Sequence, residues 1–148
     1  MIKRIYASLF GLYKENARLV LKIFGIKLKF RSPGINQLAD VCCIPDIETL
    51  KKNNVTFPHP VGIVINPSAK IGKNCVIYQN VTIGSGKYSE KYNCQVPIIG
   101  ENVTIYANSV VIGGIYVGKN SVIGAGSIVV RDVPENVIVA GNPAKIIK

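Results

Sequence analysis

One spacing dominates this sequence: an aliphatic residue recurs at every sixth position through two long runs of the chain. The repeating positions are Ile65, Ile71, Ile77 and Ile83, followed by Ile99, Ile105, Val111, Val117, Ile123 and Val129. A small or medium residue stands four positions after most of them, and glycine and asparagine recur at fixed points between them. A period of six fits neither the 3.6-residue turn of a helix nor an uninterrupted strand. The chain therefore has to turn every few residues.

The repeat predicts short strands that turn and stack on one another. Stacked strands lie about 4.8 Å apart, so the aliphatic residues of successive coils form columns that fill a narrow core. This arrangement is a parallel β-helix, and we predict an all-β fold. The length of 148 residues is that of about one domain.

The repeat is interrupted once in the middle and fades at both ends. We expect four segments: 1–31, 32–58, 59–136 and 137–148. Residues 32–58 keep the spacing only at Val41 and Ile47, which predicts an irregular lead-in or a degenerate first coil. Between Ile83 and Ile99 lie sixteen steps where six are needed, so ten residues are extruded as a loop within 84–98. Residues 137–148 leave the spacing and predict a cap on the stack.

Residues 1–31 carry most of the positive charge. They contain eight basic residues and one acidic residue, a net charge of +7 out of +10 for the whole chain. Apolar residues follow a helical spacing from Ile2 to Phe24, with Gly25 as a stop signal, and predict a basic amphipathic helix. Such a helix either lies on an anionic membrane surface or packs its apolar stripe within the protein. No apolar run is long enough to predict a membrane-spanning helix.

The cysteine and histidine content argues against a metal site. The four cysteines show no Cys-x-x-Cys spacing, and His59 is the single histidine. These counts exclude a three-histidine zinc site and disfavour an all-cysteine one. The cysteines instead predict reduced thiols in a cytoplasmic protein. We expect no metal and no disulfide.

His59 falls in the aliphatic phase of the repeat, six positions before Ile65. An imidazole in an aliphatic column must find hydrogen-bond partners or bear the cost of desolvation. Histidine is also the residue best suited to act as a general base near neutral pH. His59 is therefore the candidate catalytic residue.

The hexad with small residues at its fifth position resembles the left-handed β-helix of the hexapeptide-repeat acyltransferases. The run from His59 to Ile65 (HPVGIVI), the run from Gln79 to Gly84 (QNVTIG) and the ending from Ala140 to Lys145 (AGNPAK) resemble the serine acetyltransferase branch of that family. The resemblance implies acetyl-CoA as co-substrate, with His59 as the base that activates an acceptor hydroxyl. It also implies a homotrimer that binds CoA between neighbouring subunits.

The same resemblance assigns cofactor contacts. Ser85, Ala107 and Ala125 align with small residues whose backbone faces the pantetheine arm in the relatives. Arg131 and Lys145 are placed to meet CoA phosphates. The small residues also fit a purely structural role in tight turns.

Departures from the serine acetyltransferase pattern bear on the acceptor. That branch has an acidic residue before the histidine, an Arg-His pair before the loop proline and a large helical N-terminal domain, whereas this chain has Pro58, Gln95–Val96 and a short N-terminal segment. Arginine binds a carboxylate through a bidentate contact, so its absence argues against serine. We therefore expect a sugar hydroxyl as acceptor, in capsule, O-antigen or exopolysaccharide synthesis. The alternatives are serine O-acetylation and a non-catalytic β-helix scaffold or binding protein.

Two further expectations concern the orientation of His59 and the location of the protein. A carboxylate usually orients a catalytic histidine, and Asp46 and Glu48, about one coil earlier, are the candidates, although Ile44 stands at the acidic position of the family. Because surface polysaccharides are often built on lipid carriers, we expect a cytoplasmic protein attached peripherally to the inner face of the membrane through residues 1–31. No nucleic-acid partner is expected.

Overall fold

The computed structural model describes residues 10–15, 18–23, 26–31, 44 and 46–148. The chain divides into two units, Met1–Asp40 and Val41–Lys148. In the described part of the chain, no helix has both the length and the apolar character needed to cross a membrane.

The described residues of the first unit form an antiparallel sheet. Its strands are β1 (Phe10–Glu15), β2 (Arg18–Ile23) and β3 (Ile26–Arg31), in the order β1-β2-β3. The helix predicted for residues 1–31 is therefore wrong over these ranges, and residues 1–9 lie outside the described part. The physical reason is visible in residues 26–31, where apolar and basic residues alternate with the period of two that is typical of a strand.

The second unit is the β-helix. Its strands are β4 (Val64–Ile65), β5 (Lys70–Ile71), β6 (Val76–Ile77), β7 (Thr82–Gly84), β8 (Ile98–Ile99), β9 (Thr104–Ile105), β10 (Val110–Ile112), β11 (Tyr116–Val117), β12 (Val122–Ile123), β13 (Ile128–Val129), β14 (Ile138–Gly141) and β15 (Ala144–Ile146). They form three sheets, with the orders β4-β7-β10-β13, β5-β8-β11 and β6-β9-β12-β14-β15. All pairings in these sheets are parallel except that of β14 with β15. The predicted parallel β-helix is confirmed.

The register shows that one coil takes eighteen residues. Val64 pairs with Thr82, eighteen positions later, and Val110 pairs with Ile128 at the same interval. Thr82 and Val110 also pair, although 28 positions separate them. The ten additional residues belong to the extruded loop. We call the stack of coils bounded by the three sheets the prism. The loop leaves the prism and returns to it without changing the pairing of the strands.

Aliphatic columns form the core. All ten repeat positions from Ile65 to Val129 are buried, and six of them have no exposed surface: Ile77, Ile83, Ile105, Val111, Val117 and Ile123. Three serines at the small position of the hexad are also fully buried, and their hydroxyls donate to main-chain oxygens of the turns. Ser121 donates to Gly118 O at 2.6 Å and Ser109 to Gly124 O at 2.9 Å. The hydroxyls thus fill the narrow corners of the prism without an unpaired polar group.

Asparagines stabilise one corner as a ladder. Asn54, Asn74, Asn102, Asn120 and Asn136 all have positive φ, between 54° and 59°. The side-chain amides of the first four each donate to the next asparagine of the series, at 2.9–3.2 Å. Asparagine tolerates the left-handed backbone conformation better than most residues. The regular asparagines of the sequence are therefore the residues that turn the chain.

The ends of the β-helix differ from its coils. Helix α1 (Ile47–Lys52) precedes the first coil, and Thr56 makes an isolated parallel bridge with Val76. At the other end β14 continues the third sheet, and β15 folds back on it in antiparallel orientation. The return strand occupies the edge that a further coil would otherwise use.

Candidate functional site

His59 is exposed and does not lie in the aliphatic column. The prediction that placed its imidazole among the core aliphatics is wrong. Prolines precede and follow it, and its main-chain oxygen accepts a hydrogen bond from Val61 N at 2.9 Å. The histidine therefore sits on a tight outward turn and is accessible to a ligand.

A two-residue bulge explains this position. Thr56 pairs with Val76, and Val64 pairs with Thr82. Eight steps separate the two paired residues of the first coil, whereas six separate those of the next. The two extra residues shift the phase, so that Phe57, which is half-buried, takes the column position that counting in sixes assigns to the histidine.

Two tyrosines continue from His59 along the outside of the prism. The ring centroids of His59 and Tyr78 lie 6.3 Å apart, with their planes inclined by 48°. Tyr78 stacks on Tyr106 at 5.1 Å and 24°. We call Tyr78 and Tyr106 the tyrosine stack.

The two candidate carboxylates serve other partners. Asp46 is the N-cap of α1 and accepts a hydrogen bond from Thr49 N at 3.1 Å. This backbone N–H is the main cause that lowers the pKa of Asp46. Glu48 pairs with Lys51 at 2.9 Å. Within the described residues neither carboxylate hydrogen-bonds to His59. No contact of Asp46 or Glu48 therefore supports their predicted role in orienting the imidazole.

One aspartate, Asp132, attaches the extruded loop to the prism. Asp132 accepts hydrogen bonds from the Tyr116 backbone N–H at 2.9 Å, from the Tyr92 hydroxyl at 2.8 Å and from Lys91 Nζ at 3.0 Å. Partial burial raises the pKa of Asp132, but these three donors outweigh it, and the pKa lies below its ordinary value. We call Asp132 with Lys91, Tyr92 and Tyr116 the loop anchor.

The loop and the adjacent coils enclose a cleft of about 660 Å³. Its walls are residues 86–89 of the loop, 112–115, and 130–132. Ser85 directly precedes the loop wall and is exposed. Arg131 therefore faces a space that the loop covers.

A second cavity, of about 310 Å³, brings two predicted site residues together. Arg131 and Lys145 both line it, with Pro134 and Pro143 among its other walls. The two basic residues are fourteen positions apart in sequence, and the fold-back of β15 brings them to one place. Asp132 also lines this cavity, and the two cations outnumber its single carboxylate, which suits a phosphate group.

Ala107 and Ala125 form a separate group on another corner of the prism. Gly126 N donates to Ala107 O at 2.9 Å, which links the two turns. Ala107 is half-buried and Ala125 is exposed. The predicted cofactor residues thus lie in three places: Ser85 beside the loop, Ala107 and Ala125 at the alanine turns, and Arg131 and Lys145 around the second cavity. A further cavity of about 370 Å³ lies beside α1 and is lined in part by Asp46, but not by His59.

The loop anchor and the tyrosine stack were not predicted from the sequence. Lys91 and Asp132 are 41 residues apart, and nothing in the repeat pairs them. Tyr78 and Tyr106 are 28 residues apart, which is one coil of eighteen plus the ten-residue loop. Counting in coils could therefore have found the tyrosine stack, whereas the loop anchor has no such signal.

The fold and the repeat define the class of protein. Residues 97–131 match the family model described as "Bacterial transferase hexapeptide (six repeats)". This part of the repeat region is therefore similar to the hexapeptide-repeat transferases, and the fold is the left-handed β-helix of the solved neighbours.

The relatives found within this class are serine acetyltransferases. The enzyme of Synechococcus elongatus is 44% identical over 94 residues, which cover 63% of this chain and 37% of the relative. That of Staphylococcus epidermidis is 43% identical over 91 residues, 61% of this chain and 41% of the relative. The crystal structure of Neisseria gonorrhoeae serine acetyltransferase matches with a TM-score of 0.57 at 39% identity, over 63% of this chain and 36% of that one. A serine acetyltransferase in complex with CoA matches at 36% identity and a TM-score of 0.56, over 63% of this chain and 37% of that one. The chain thus spans less than half the length of the relatives it matches.

These comparisons correct the predicted function. The expectation of a sugar acceptor in surface polysaccharide synthesis is contradicted, because the relatives are serine acetyltransferases. The findings favour one of the stated alternatives, serine O-acetylation. The departures at Pro58 and at Gln95–Val96 carry less weight than 44% identity over 94 residues.

Proposed function

We propose that this chain transfers the acetyl group of acetyl-CoA to the hydroxyl of serine. The observation that carries the proposal is the 44% identity to a serine acetyltransferase over 94 residues, which are 63% of the chain. The exposed position of His59 supports it, because a general base must reach a proton on a bound acceptor.

His59 acts as the general base in the proposed mechanism. Its imidazole takes the proton of the serine hydroxyl while the hydroxyl oxygen attacks the thioester carbonyl. Backbone N–H groups near Ser85 stabilise the resulting oxyanion. The carbon–sulfur bond then breaks, and the proton passes from His59 to the departing CoA thiolate. The products are O-acetylserine and CoA.

No covalent acyl-enzyme is required. Burial raises the pKa of the Cys75 thiol, which opposes its ionisation to a nucleophilic thiolate. The Cys94 thiol lies 3.2 Å from the main-chain oxygen of Val96. Direct transfer from CoA to serine therefore suits the described residues better than a cysteine relay.

Acetyl-CoA binds along the prism in this proposal. Arg131 and Lys145, which line one cavity, meet its phosphate groups. Ser85, Ala107 and Ala125 present their backbone to the pantetheine arm. The small size of these side chains supports close approach of an extended ligand.

Assembly and location complete the proposal. The chain assembles as a homotrimer with CoA between neighbouring subunits, and a mass near the 16.0 kDa of one chain in light scattering would rule this out.

The protein is cytoplasmic, and the +7 charge of residues 1–31 attaches it to the inner face of the membrane. Cosedimentation that requires anionic vesicles and weakens with salt would support this attachment, and equal absence of binding to neutral and anionic vesicles would contradict it.

The direct test is the reaction itself. The purified chain is incubated with acetyl-CoA, with and without L-serine, and both released thiol and O-acetylserine are measured. We expect thiol release that depends on serine, with an equal amount of O-acetylserine. Release that is independent of serine, or none at all, would contradict the proposed function.

A further inference from the structure

Among the described residues, no carboxylate orients His59. Asp46 caps α1 through Thr49, and Glu48 pairs with Lys51. Among the described residues no side chain hydrogen-bonds to the imidazole. A general base works only when its nitrogen is held towards the proton that it accepts, so another contact has to fix the ring.

The backbone at His59 is already restricted. Pro58 and Pro60 flank it, and proline limits both its own φ and the conformation of the residue before it. The hydrogen bond from Val61 N to the main-chain oxygen of His59 closes the turn at 2.9 Å. The remaining freedom of this residue therefore lies in the two side-chain torsions of its imidazole.

In the part of the chain that the structure describes, the aromatic side chain beside this ring is that of Tyr78. The 6.3 Å separation of the centroids falls within the range of favourable aromatic pairs, and the inclination of 48° lies between stacked and edge-on. Such a pair biases a side chain towards the packed conformation by about two- to tenfold.

The prism fixes Tyr78 in turn. Tyr78 directly follows β6 and Tyr106 directly follows β9, and these strands pair in parallel, with Ile77 opposite Ile105. The backbone N–H groups of both tyrosines donate to the next coil at 3.0 Å. The next position in this column is Gly124, so the stack contains two rings and ends on a residue without a side chain.

We propose that Tyr78, supported by Tyr106, is the positioning residue for His59, in place of the carboxylate that usually orients a catalytic histidine. The ring of Tyr78 restricts the imidazole to conformations that face the acceptor, while Tyr106 keeps Tyr78 from turning away. The catalytic part of this inference rests on the proposed acetyl transfer, and the ring packing does not.

His59 offers a direct spectroscopic readout because it is the single histidine of the chain. The proton resonances of its imidazole are compared between the wild type, Tyr78→Phe and Tyr78→Leu, at both ends of the imidazole titration. We expect ring-current shifts in the wild type, their retention in Tyr78→Phe and their loss in Tyr78→Leu. Tyr116→Leu is the matched control, because it removes one ring of another aromatic pair. The ring centroids of Tyr92 and Tyr116 lie 6.2 Å apart. This variant should leave the imidazole resonances unchanged.

Kinetics separates positioning from mere packing. Tyr78→Leu should lower kcat about three- to tenfold with an unchanged KM for acetyl-CoA, and Tyr78→Phe should restore kcat to within about twofold. Tyr106→Leu should lower kcat by a smaller factor.

Three results would overturn the inference. The first is a wild type whose imidazole protons show no ring-current shift. The second is a folded Tyr78→Phe variant that shows no such shift, and the third is a Tyr78→Leu variant with the wild-type kcat. If Tyr78→Leu does not fold, the wild type and Tyr78→Phe still decide the question. If the chain shows no acetyl transfer but its imidazole resonances follow Tyr78 as expected, the ring packing stands and the proposed function fails alone.

Discussion

Removing the carboxylate of Asp132 should release the extruded loop without unfolding the prism. This carboxylate accepts hydrogen bonds from Tyr116 N and the Tyr92 hydroxyl, and each contributes about 0.5–1.5 kcal/mol. Its ion pair with Lys91 adds about 0–1 kcal/mol, because the two side chains are 44% and 69% exposed. The total is about 2 kcal/mol, so Asp132→Ala should raise the population of the open loop about 30-fold. Asp132→Asn keeps an acceptor for Tyr116 N and should raise it about fivefold.

Hydrogen–deuterium exchange measures this opening at identified amides. The loop contains its own pair of hydrogen bonds between Ser89 and Cys94, at 2.9 and 3.3 Å, and Gly114 N donates to Lys87 O at 2.9 Å. These amides should exchange faster in Asp132→Ala, while those of β9 and β12 keep the wild-type rate. Unchanged exchange in the loop would refute the anchoring role of Asp132. Equal acceleration in the loop and in the strands would show that the substitution destabilises the whole prism instead.

Three further predictions concern the prism and its charges. Asn102 has a φ of 56° and two ladder contacts, at 3.2 and 3.0 Å, so Asn102→Ala should lower the free energy of unfolding by about 1–3 kcal/mol. Asn102→Gly, which suits the positive φ, should cost less, and equal losses in urea denaturation would contradict the argument from backbone conformation. Ile105 is fully buried, so Ile105→Ala should cost about 2–5 kcal/mol in the same measurement, and a loss below about 1 kcal/mol would mean that the column is loosely packed. The pKa values of Asp46 and Asp132 lie below the ordinary 3.8, so their stabilising contribution is complete above that pH and is lost as the pH falls through the lowered folded-state values. Loop exchange should therefore rise in acid in the wild type and much less so in Asp132→Asn, after correction for the intrinsic pH dependence of exchange.

The prism could be predicted from sequence because its core requires only side-chain volume at a fixed interval. A column of aliphatic residues at every sixth position has few other ways to be buried, and asparagine marks the turns with positive φ. The extruded loop followed from the same count, since ten residues are left over between Ile83 and Ile99. These inferences needed no knowledge of long-range contacts.

The candidate site was harder to predict because it depends on departures from the repeat. Counting back from Ile65 in sixes assumed that no residue was inserted, whereas a bulge of two residues moves His59 outward. Pro58 and Pro60 were the local signal of that irregularity. The contact between Lys91 and Asp132 joins a loop to a distant coil, and no periodicity encodes it.

The first unit shows how two periodicities can compete within one segment. The apolar residues from Ile2 to Phe24 follow a helical spacing, whereas residues 26–31 alternate between apolar and basic. Strands β1, β2 and β3 pair in antiparallel orientation from end to end. Helical spacing is a weak signal where a segment also alternates.

The role of His59 can be decided by measuring catalysis and cofactor binding on the same variant. His59→Ala should reduce serine-dependent release of CoA about 10²- to 10⁴-fold, which is the usual effect of losing a general base. Its dissociation constant for acetyl-CoA should stay within a few-fold of the wild type, because Arg131 and Lys145, which we propose as phosphate contacts, lie in a cavity that His59 does not line. A variant that keeps more than about a tenth of the wild-type turnover would show that His59 is not the general base.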